Sequence, residues 1–107
     1  MADRVSAHQA KELLADEQVC LVDIRDVQSY ASNHIAGAIH LDNVSFPDFL
    51  ENTEKERHVI VYCYHGIMSQ SVAAVLAEHQ FEKVSSLDGG FAAWFMHFPE
   101  TCSGKGL

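Results

Sequence analysis

Two short, nearly continuous apolar runs, each followed by a helical pattern, constrain the fold of this chain most strongly. They occupy residues 19–24 (VCLVDI) and 58–62 (HVIVY). A strand that is covered on both faces lacks the alternation of polar and apolar residues that marks a half-exposed strand. Both runs therefore predict central strands of a parallel sheet that carries helices on both faces.

The rest of the chain supplies the elements that such a sheet requires. Helices are predicted over about 7–16, 27–32, 46–52, 69–79 and 91–98, and further strands at 38–41 and 84–87. Ser6 and Gln9 form a capping box that opens the first helix. Asp26 is expected to cap the second helix and Asp88 the last one. The prediction is an α/β fold with a central parallel sheet of about five strands.

Length and charge limit the classes of protein to which this chain can belong. A chain of 107 residues suits one domain, so we expect a single domain with its core over about 4–98 and a frayed tail over 99–107. Seven basic and fifteen acidic side chains give a formal charge of -8, which argues against nucleic acid or an anionic membrane as partner. The N-terminal residues show no signal-peptide pattern, and no apolar run approaches the roughly 20 residues of a membrane span. A cytoplasmic location is therefore expected.

The cysteines and histidines do not follow the spacing of a metal site. Cys20, Cys63 and Cys102 form an odd set without a CxxC pair, which does not describe a disulfide framework. Cys63 and His65 lie two positions apart, but no second pair completes a tetrahedral site. We expect neither a bound metal nor a cofactor.

Cys63 is the candidate functional residue, because it follows a central strand at the sheet edge where parallel α/β folds bind ligands. The loop after it presents backbone N–H groups that can converge on an anion, and the helix dipole adds positive charge. Such a setting lowers the pKa of a thiol and produces a nucleophilic thiolate. Gly66 suits a position with positive φ or close backbone approach. The alternative is that Cys63 caps a core strand and is inert, as buried free cysteines usually are.

Four segments, in order, resemble the signatures of the rhodanese domain and together cover about residues 4–98. They are 22–26 (VDIRD), 34–41 (HIAGAIHL), 61–66 (VYCYHG) and 87–94 (LDGGFAAW). The run CYHG with the following Ser69 is most similar to the small single-domain bacterial thiosulfate sulfurtransferases. The resemblance implies a three-layer rhodanese-like fold.

The resemblance also implies an enzyme that moves sulfane sulfur from thiosulfate to a thiophilic acceptor through a persulfide on Cys63. The acceptor would be cyanide, a dithiol or a protein thiol such as that of a thioredoxin-like protein. The persulfide would be cradled by the backbone amides of the loop Tyr64, His65, Gly66, Ile67, Met68 and Ser69. Arg25 is expected to pair with Asp23 or Asp26 and to support the loop after its strand. A second function stays open, namely a persulfide carrier or docking module that serves a protein partner.

Met68 departs from the commoner family pattern, which has a basic residue, often arginine, five positions after the cysteine. No Lys or Arg occurs between residues 58 and 82, so backbone amides alone would bind the thiosulfate dianion. A related cysteine-dependent phosphatase would need a longer loop and an arginine six positions after the cysteine, where this chain has Ser69. That function is disfavoured. Cys20 is expected to be inert, and Cys102 is not expected to relay sulfur.

Overall fold

The structure, a computed structural model, describes residues 3–104 of the chain. Its elements are β1 (Asp3–Val5), α1 (Ala7–Leu13), β2 (Cys20–Asp23), α2 (Val27–Ser32), β3 (His34–Ile35), β4 (Ile39–His40), α3 (Phe46–Asn52), β5 (His58–Tyr62), α4 (Met68–Glu78), β6 (Lys83–Leu87), α5 (Gly90–His97), a 3-10 turn (Pro99–Thr101) and β7 (Cys102–Ser103). Five strands form one sheet in the order β1-β6-β5-β2-β4, and all neighbouring strands are parallel. The predicted fold class is confirmed.

Side chains that alternate along the central strands fill two separate cores, one on each face of the sheet. Leu21 and Ile60 pack with residues of α1 and α5. Their sequence neighbours Val22 and Val59 pack on the opposite face with residues of α3 and α4. Burial of each such side chain stabilises the fold by about 1.5–3 kcal/mol. Both faces are covered, which explains why β2 and β5 are apolar at nearly every position.

The predicted helix starts are confirmed at α1 and α2 but not at α5. Ser6 and Gln9 form the capping box of α1, and Asp26 caps α2 by accepting a hydrogen bond from the Ser29 N–H. The prediction that Asp88 caps the last helix is wrong. Gly89 is the residue before α5, and Asp88 instead pairs with Arg4 at 3.2 Å on the surface. The first N–H groups of α5 donate to carbonyl oxygens of a neighbouring loop, so α5 needs no side-chain cap.

Two segments are more ordered than the sequence predicts. β1 lies at one edge of the sheet, where the sequence analysis placed no strand. Residues 99–103, predicted to fray, form the 3-10 turn and then β7, which pairs antiparallel with β3. Trp94 holds this segment because its indole N–H donates to the hydroxyl of Thr101 at 2.7 Å. Residues 105–107 of the predicted tail lie outside the described residues.

No helix within residues 3–104 is long and apolar enough to cross a lipid bilayer.

Candidate active site

Cys63 directly follows β5, at the carboxyl edge of the sheet. In the sheet, β5 lies between β2 and β6. The side chain is largely buried, with 7% of the residue exposed. A four-residue loop separates it from α4, which begins at Met68. The helix N-terminus therefore lies close to the cysteine, as the sequence predicts.

Backbone N–H groups of this loop converge on the sulfur. The Gly66 N–H donates to Cys63 Sγ at 3.2 Å, and the Ser69 N–H donates to it at 3.3 Å. The hydroxyl oxygen of Ser69 lies 3.4 Å from the same sulfur. The N–H groups of Ile67 and Met68 have no acceptor among residues 3–104, so they are available to an anion. The arrangement is an anion-binding nest centred on a thiol.

Hydrogen bonding decides the ionisation of the Cys63 thiol. Burial raises its pKa, but hydrogen bonds from the Ser69 hydroxyl and from the N–H groups of Ser69, Gly66 and His65 outweigh burial. The pKa of Cys63 therefore lies below its ordinary value. Burial raises the pKa of the Cys20 and Cys102 thiols instead. Since the thiolate is the reactive form, Cys63 is the cysteine best suited to be a nucleophile.

A second serine supports the site and was missed by the sequence analysis. The hydroxyl oxygens of Ser69 and Ser86 lie 2.7 Å apart, and both residues are buried. When the Ser69 hydroxyl donates a hydrogen bond to the thiolate, the Ser86 hydroxyl can donate one to Ser69. The signal was present in the sequence, because two serines inside a strand buried on both faces require hydrogen-bond partners. Ser85 finds its partner in His58, and Ser86 finds it in the site.

Two glycines let the N-terminus of α5 lie against the loop. Gly66 has φ +88°, and a Cβ atom there would lie 2.7 Å from the Gly89 nitrogen. Gly90 has φ +59°, and a Cβ atom there would lie 2.5 Å from the Cys63 carbonyl oxygen. That carbonyl accepts the Phe91 N–H at 2.8 Å. Gly66 of the cysteine loop and Gly90 of the LDGG motif thus allow the backbones of the loop and of α5 to lie in close contact.

Arg25 and Asp23 form a buried ion pair beside the site. Arg25 Nη2 lies 2.8 Å from the Asp23 carboxylate, and the two side chains are 5% and 0% exposed. The guanidinium also donates to the Asn33 carbonyl and packs 4.1 Å from the centre of the Phe91 ring. Its charge is therefore balanced by Asp23. The role of the pair in supporting the loop stays a prediction from the sequence.

The rim of the site is largely apolar, although Asp26 and His65 also line it. A shallow cavity of about 370 Å³ opens beside Cys63, between the loop after β2 and the loop after β5. Tyr64, Ile67 and Met68 stand on this rim and are 51%, 77% and 67% exposed. The proposed loop residues thus divide into those that face the sulfur and those that face solvent. Within residues 3–104, no group of three or more metal-ligating side chains is placed to hold an ion.

A cysteine whose sulfur accepts hydrogen bonds from loop amides, between a central parallel strand and a helix, is the arrangement of a rhodanese-like protein. A family model described as Rhodanese-like domain matches residues 6–97. The chain therefore belongs to the rhodanese family, which confirms the family predicted from the sequence.

Two relatives carry the name thiosulfate sulfurtransferase GlpE. The one from Coxiella burnetii is 43% identical over 105 residues, which is 98% of each chain. The one from Ectopseudomonas mendocina is 51% identical over 103 residues, covering 95% of this chain and 94% of the relative. The predicted similarity to the single-domain bacterial thiosulfate sulfurtransferases is confirmed.

Solved structures show the same fold. The rhodanese-like domain of an Anabaena protein has a TM-score of 0.83 at 28% identity, covering 97% of this chain and 80% of that one. A rhodanese-like domain protein from Staphylococcus aureus has a TM-score of 0.75 at 25% identity, covering 86% and 90%.

Proposed function

We propose that this chain is a single-domain thiosulfate sulfurtransferase that carries sulfane sulfur as a persulfide on Cys63. The observation that carries the proposal is the set of groups around one sulfur. Two backbone N–H groups donate to it at 3.2 and 3.3 Å, and a hydroxyl that can donate to the thiolate lies at 3.4 Å. The relatives from Coxiella burnetii and Ectopseudomonas mendocina are named thiosulfate sulfurtransferases, which supports thiosulfate as the sulfur donor.

The first half-reaction loads the cysteine. The Cys63 thiolate attacks the outer sulfur of thiosulfate, and the S–S bond of thiosulfate breaks. The bonding electron pair leaves with sulfite, and Cys63 becomes a persulfide anion. Fixed N–H dipoles stabilise negative charge on sulfur without reorganisation, and the loop offers such dipoles before and after transfer.

The second half-reaction returns the enzyme to its thiolate. An acceptor such as cyanide attacks the outer sulfur of the persulfide, the new S–S bond breaks, and thiocyanate leaves. A thiol acceptor takes the sulfur in the same way. Tyr64, Ile67 and Met68 are exposed around one cavity, and such an apolar patch favours a protein thiol as one acceptor because contiguous apolar surface is typical of protein contacts. A cytoplasmic location stays a prediction from the sequence.

One observation favours the carrier function as a second candidate. The one Lys or Arg side chain that lines the Cys63 cavity is Arg25, and Asp23 balances its charge. A site without a free cation binds a small dianion weakly, and a carrier that is loaded by another protein does not need one.

Steady-state kinetics with thiosulfate and cyanide test the proposal. We expect ping-pong kinetics, with parallel lines in double-reciprocal plots, and no thiocyanate from Cys63→Ser. Cys102→Ser is the matched control and should keep most activity. A protein that forms the persulfide but releases no sulfur to cyanide or a dithiol would be a carrier. Thiocyanate formation by Cys63→Ser would contradict both functions.

A further inference from the structure

Two exposed histidines from different helices meet on the surface that α1 and α5 form together. His8 lies in the first turn of α1, and His97 is the last residue of α5. The centres of the two imidazole rings are 4.8 Å apart, and the ring planes meet at 63°. The ring of Phe98, which packs against the core, lies 5.2 Å from the ring of His8 and 6.1 Å from that of His97. Two helices and one aromatic ring thus hold the imidazoles beside each other.

The protein itself makes no polar use of these two imidazoles. His34, His40 and His58 each form a hydrogen bond with another group of the chain. His8 and His97 form neither a hydrogen bond nor an ion pair with any group among residues 3–104. Their ring nitrogens are therefore available to a ligand from solution.

The separation of the two rings matches that of two imidazoles bound to one metal ion. A Zn–N bond is about 2.0–2.1 Å long, and the ring centre lies about 1.2 Å behind the nitrogen, so it lies about 3.2 Å from the ion. For angles at the ion between square-planar and tetrahedral values, the two ring centres are then about 4.5–5.2 Å apart. The observed 4.8 Å lies within this interval.

The chemistry of the two side chains selects the class of ion. Imidazole nitrogen suits zinc, nickel and copper, whereas magnesium and calcium prefer oxygen ligands. No third His, Cys, Asp or Glu among residues 3–104 is placed to complete the site, so water would fill the remaining positions and the ion would exchange readily.

The charges near the pair act in both directions. The formal charge of -8 favours a cation anywhere on the surface, and the C-terminal end of α5 adds partial negative charge at His97. Lys11 opposes a cation, because its ammonium lies 5.3 Å from the centre of the Phe98 ring. We therefore expect a weak site rather than a tightly bound structural ion.

We propose that His8 and His97 form an exchangeable binding site for a divalent transition-metal ion of the Zn²⁺, Ni²⁺ and Cu²⁺ class. The site is separate from sulfur transfer, since neither residue lines the Cys63 cavity. A bound ion joins the start of α1 to the end of α5. Because the unfolded chain does not hold the two imidazoles together, the ion binds the folded state better and stabilises it.

Calorimetric titration with Zn²⁺ tests the site in Cys63→Ser, which removes the most reactive thiol as a competing ligand. We expect one ion per chain. Two ligands that are held together bind up to about 10²–10⁴ times more tightly than one, and ordering two exposed rings reduces this gain. His8→Gln and His97→Gln, each added to Cys63→Ser, should therefore weaken binding at least about tenfold. The variant that carries both changes should lose no more than about twofold beyond either one, because the pair acts as a unit.

His79→Gln in the same background is the matched control. His79 is also exposed and lies against an aromatic ring, that of Phe46 at 5.6 Å, but no second histidine contacts it. This variant should bind Zn²⁺ as Cys63→Ser does, and Zn²⁺ should raise the melting temperature of both. The melting temperature should not respond to Zn²⁺ when His8 or His97 is replaced.

Three results would overturn the site. The first is an absence of Zn²⁺ binding to Cys63→Ser. The second is unchanged affinity in His8→Gln or His97→Gln, or an equal loss in His79→Gln. The third is a loss in the variant with both changes that equals the product of the two single losses, because each histidine would then bind on its own.

Discussion

Ser69 contacts Cys63 through both its backbone and its side chain. The backbone N–H donates to the sulfur at 3.3 Å, and the hydroxyl oxygen lies 3.4 Å from it. The hydroxyl is in turn 2.7 Å from Ser86, which anchors it to β6. The first residues of α4 and a neighbouring strand therefore act together on the ionisation of one thiol.

Ser69→Ala should raise the pKa of Cys63. A hydrogen bond to a charged group contributes about 1.5–3 kcal/mol, so loss of the hydroxyl should move the pKa upward by about one to two units. The rate of alkylation against pH measures it. In the unmodified protein the midpoint should lie below the ~8.5 of a free cysteine, and reactivity should fall as pH decreases through that midpoint. An unchanged midpoint in Ser69→Ala would show that the backbone amides alone set the pKa.

Two further variants separate the ionisation of Cys63 from stability. Ser71→Ala removes an exposed hydroxyl from the same helix and should leave the midpoint unchanged. Ser69→Ala also leaves the buried Ser86 hydroxyl without its partner, at a cost of about 1–3 kcal/mol. Ser69→Ala/Ser86→Ala should recover part of that stability while the midpoint stays raised.

Gly66→Ala should damage both the fold and the site. Its positive φ disfavours an L side chain, and the new Cβ would lie 2.7 Å from the Gly89 nitrogen. Gly37 provides the control, because it has φ +86° and a Cβ atom there would meet no other atom within 4 Å. Gly37→Ala should lower the free energy of unfolding by only about 1–2 kcal/mol, which is the cost of a left-handed backbone conformation for an L side chain. Gly66→Ala should lower the free energy of unfolding by more than this and should abolish most sulfur transfer. If urea denaturation gives equal losses for the two variants, the close approach of Gly66 to Gly89 is contradicted.

Asp23→Asn should strongly destabilise the fold. The substitution leaves the guanidinium of Arg25 buried without its counter-ion, and breaking a buried pair in this way costs about 3–5 kcal/mol. Asp88→Asn breaks the exposed pair with Arg4 and should cost less than about 1 kcal/mol. Midpoints of urea denaturation give both values. If Asp23→Asn lowers the free energy of unfolding by less than about 1 kcal/mol, the pair does not support the fold as proposed.

The sequence predicts the centre of the fold and of the site because local patterns determine them. The apolar runs of β2 and β5 reflect burial on both faces of the sheet, and Gly66 occurs in the loop after Cys63 because its backbone has a positive φ. β1 has no such pattern, since Asp3 and Arg4 are exposed and only pairing with β6 makes the segment a strand. Local patterns do not encode such long-range pairing.

The remaining differences have the same origin. Asp88 is a residue type that commonly caps helices, but Gly89 is the N-cap of α5, and the α5 N–H groups already bind carbonyl oxygens of the cysteine loop. The segment around Thr101 looks flexible by composition and is fixed by Trp94. Ser86 acquires its role only because β6 lies beside β5. Each of these residues gains its partner from a distant part of the chain.

Met68→Arg should lower the KM for thiosulfate. Met68 is 67% exposed, so an arginine at this position displaces no packed side chain. A partly exposed ion contact of this kind is worth about 1–2 kcal/mol, or roughly tenfold in apparent affinity, and it should weaken as salt increases. The turnover step should change less, because the charge is present before and after transfer.

Met96→Arg is the matched control for this charge. Met96 is 78% exposed and lies on α5, on the face of the sheet opposite the one that carries α4. Met96→Arg adds the same net charge as Met68→Arg, so long-range attraction of thiosulfate would lower KM in both variants. A local effect would appear only in Met68→Arg. Equal values of KM in the two variants, with unchanged melting temperatures, would refute a local charge effect.

The mass of the intact protein after treatment with thiosulfate tests the central claim most directly. The persulfide adds one sulfur atom, about 32 Da, and peptide mapping should place it on Cys63. Cyanide should remove the added mass, and Cys20→Ala and Cys102→Ser should load as the unmodified protein does. Cys63→Ser should stay at its original mass while its melting temperature is nearly unchanged. A gain of one sulfur on Cys63→Ser, or no gain on the unmodified protein, would contradict the account.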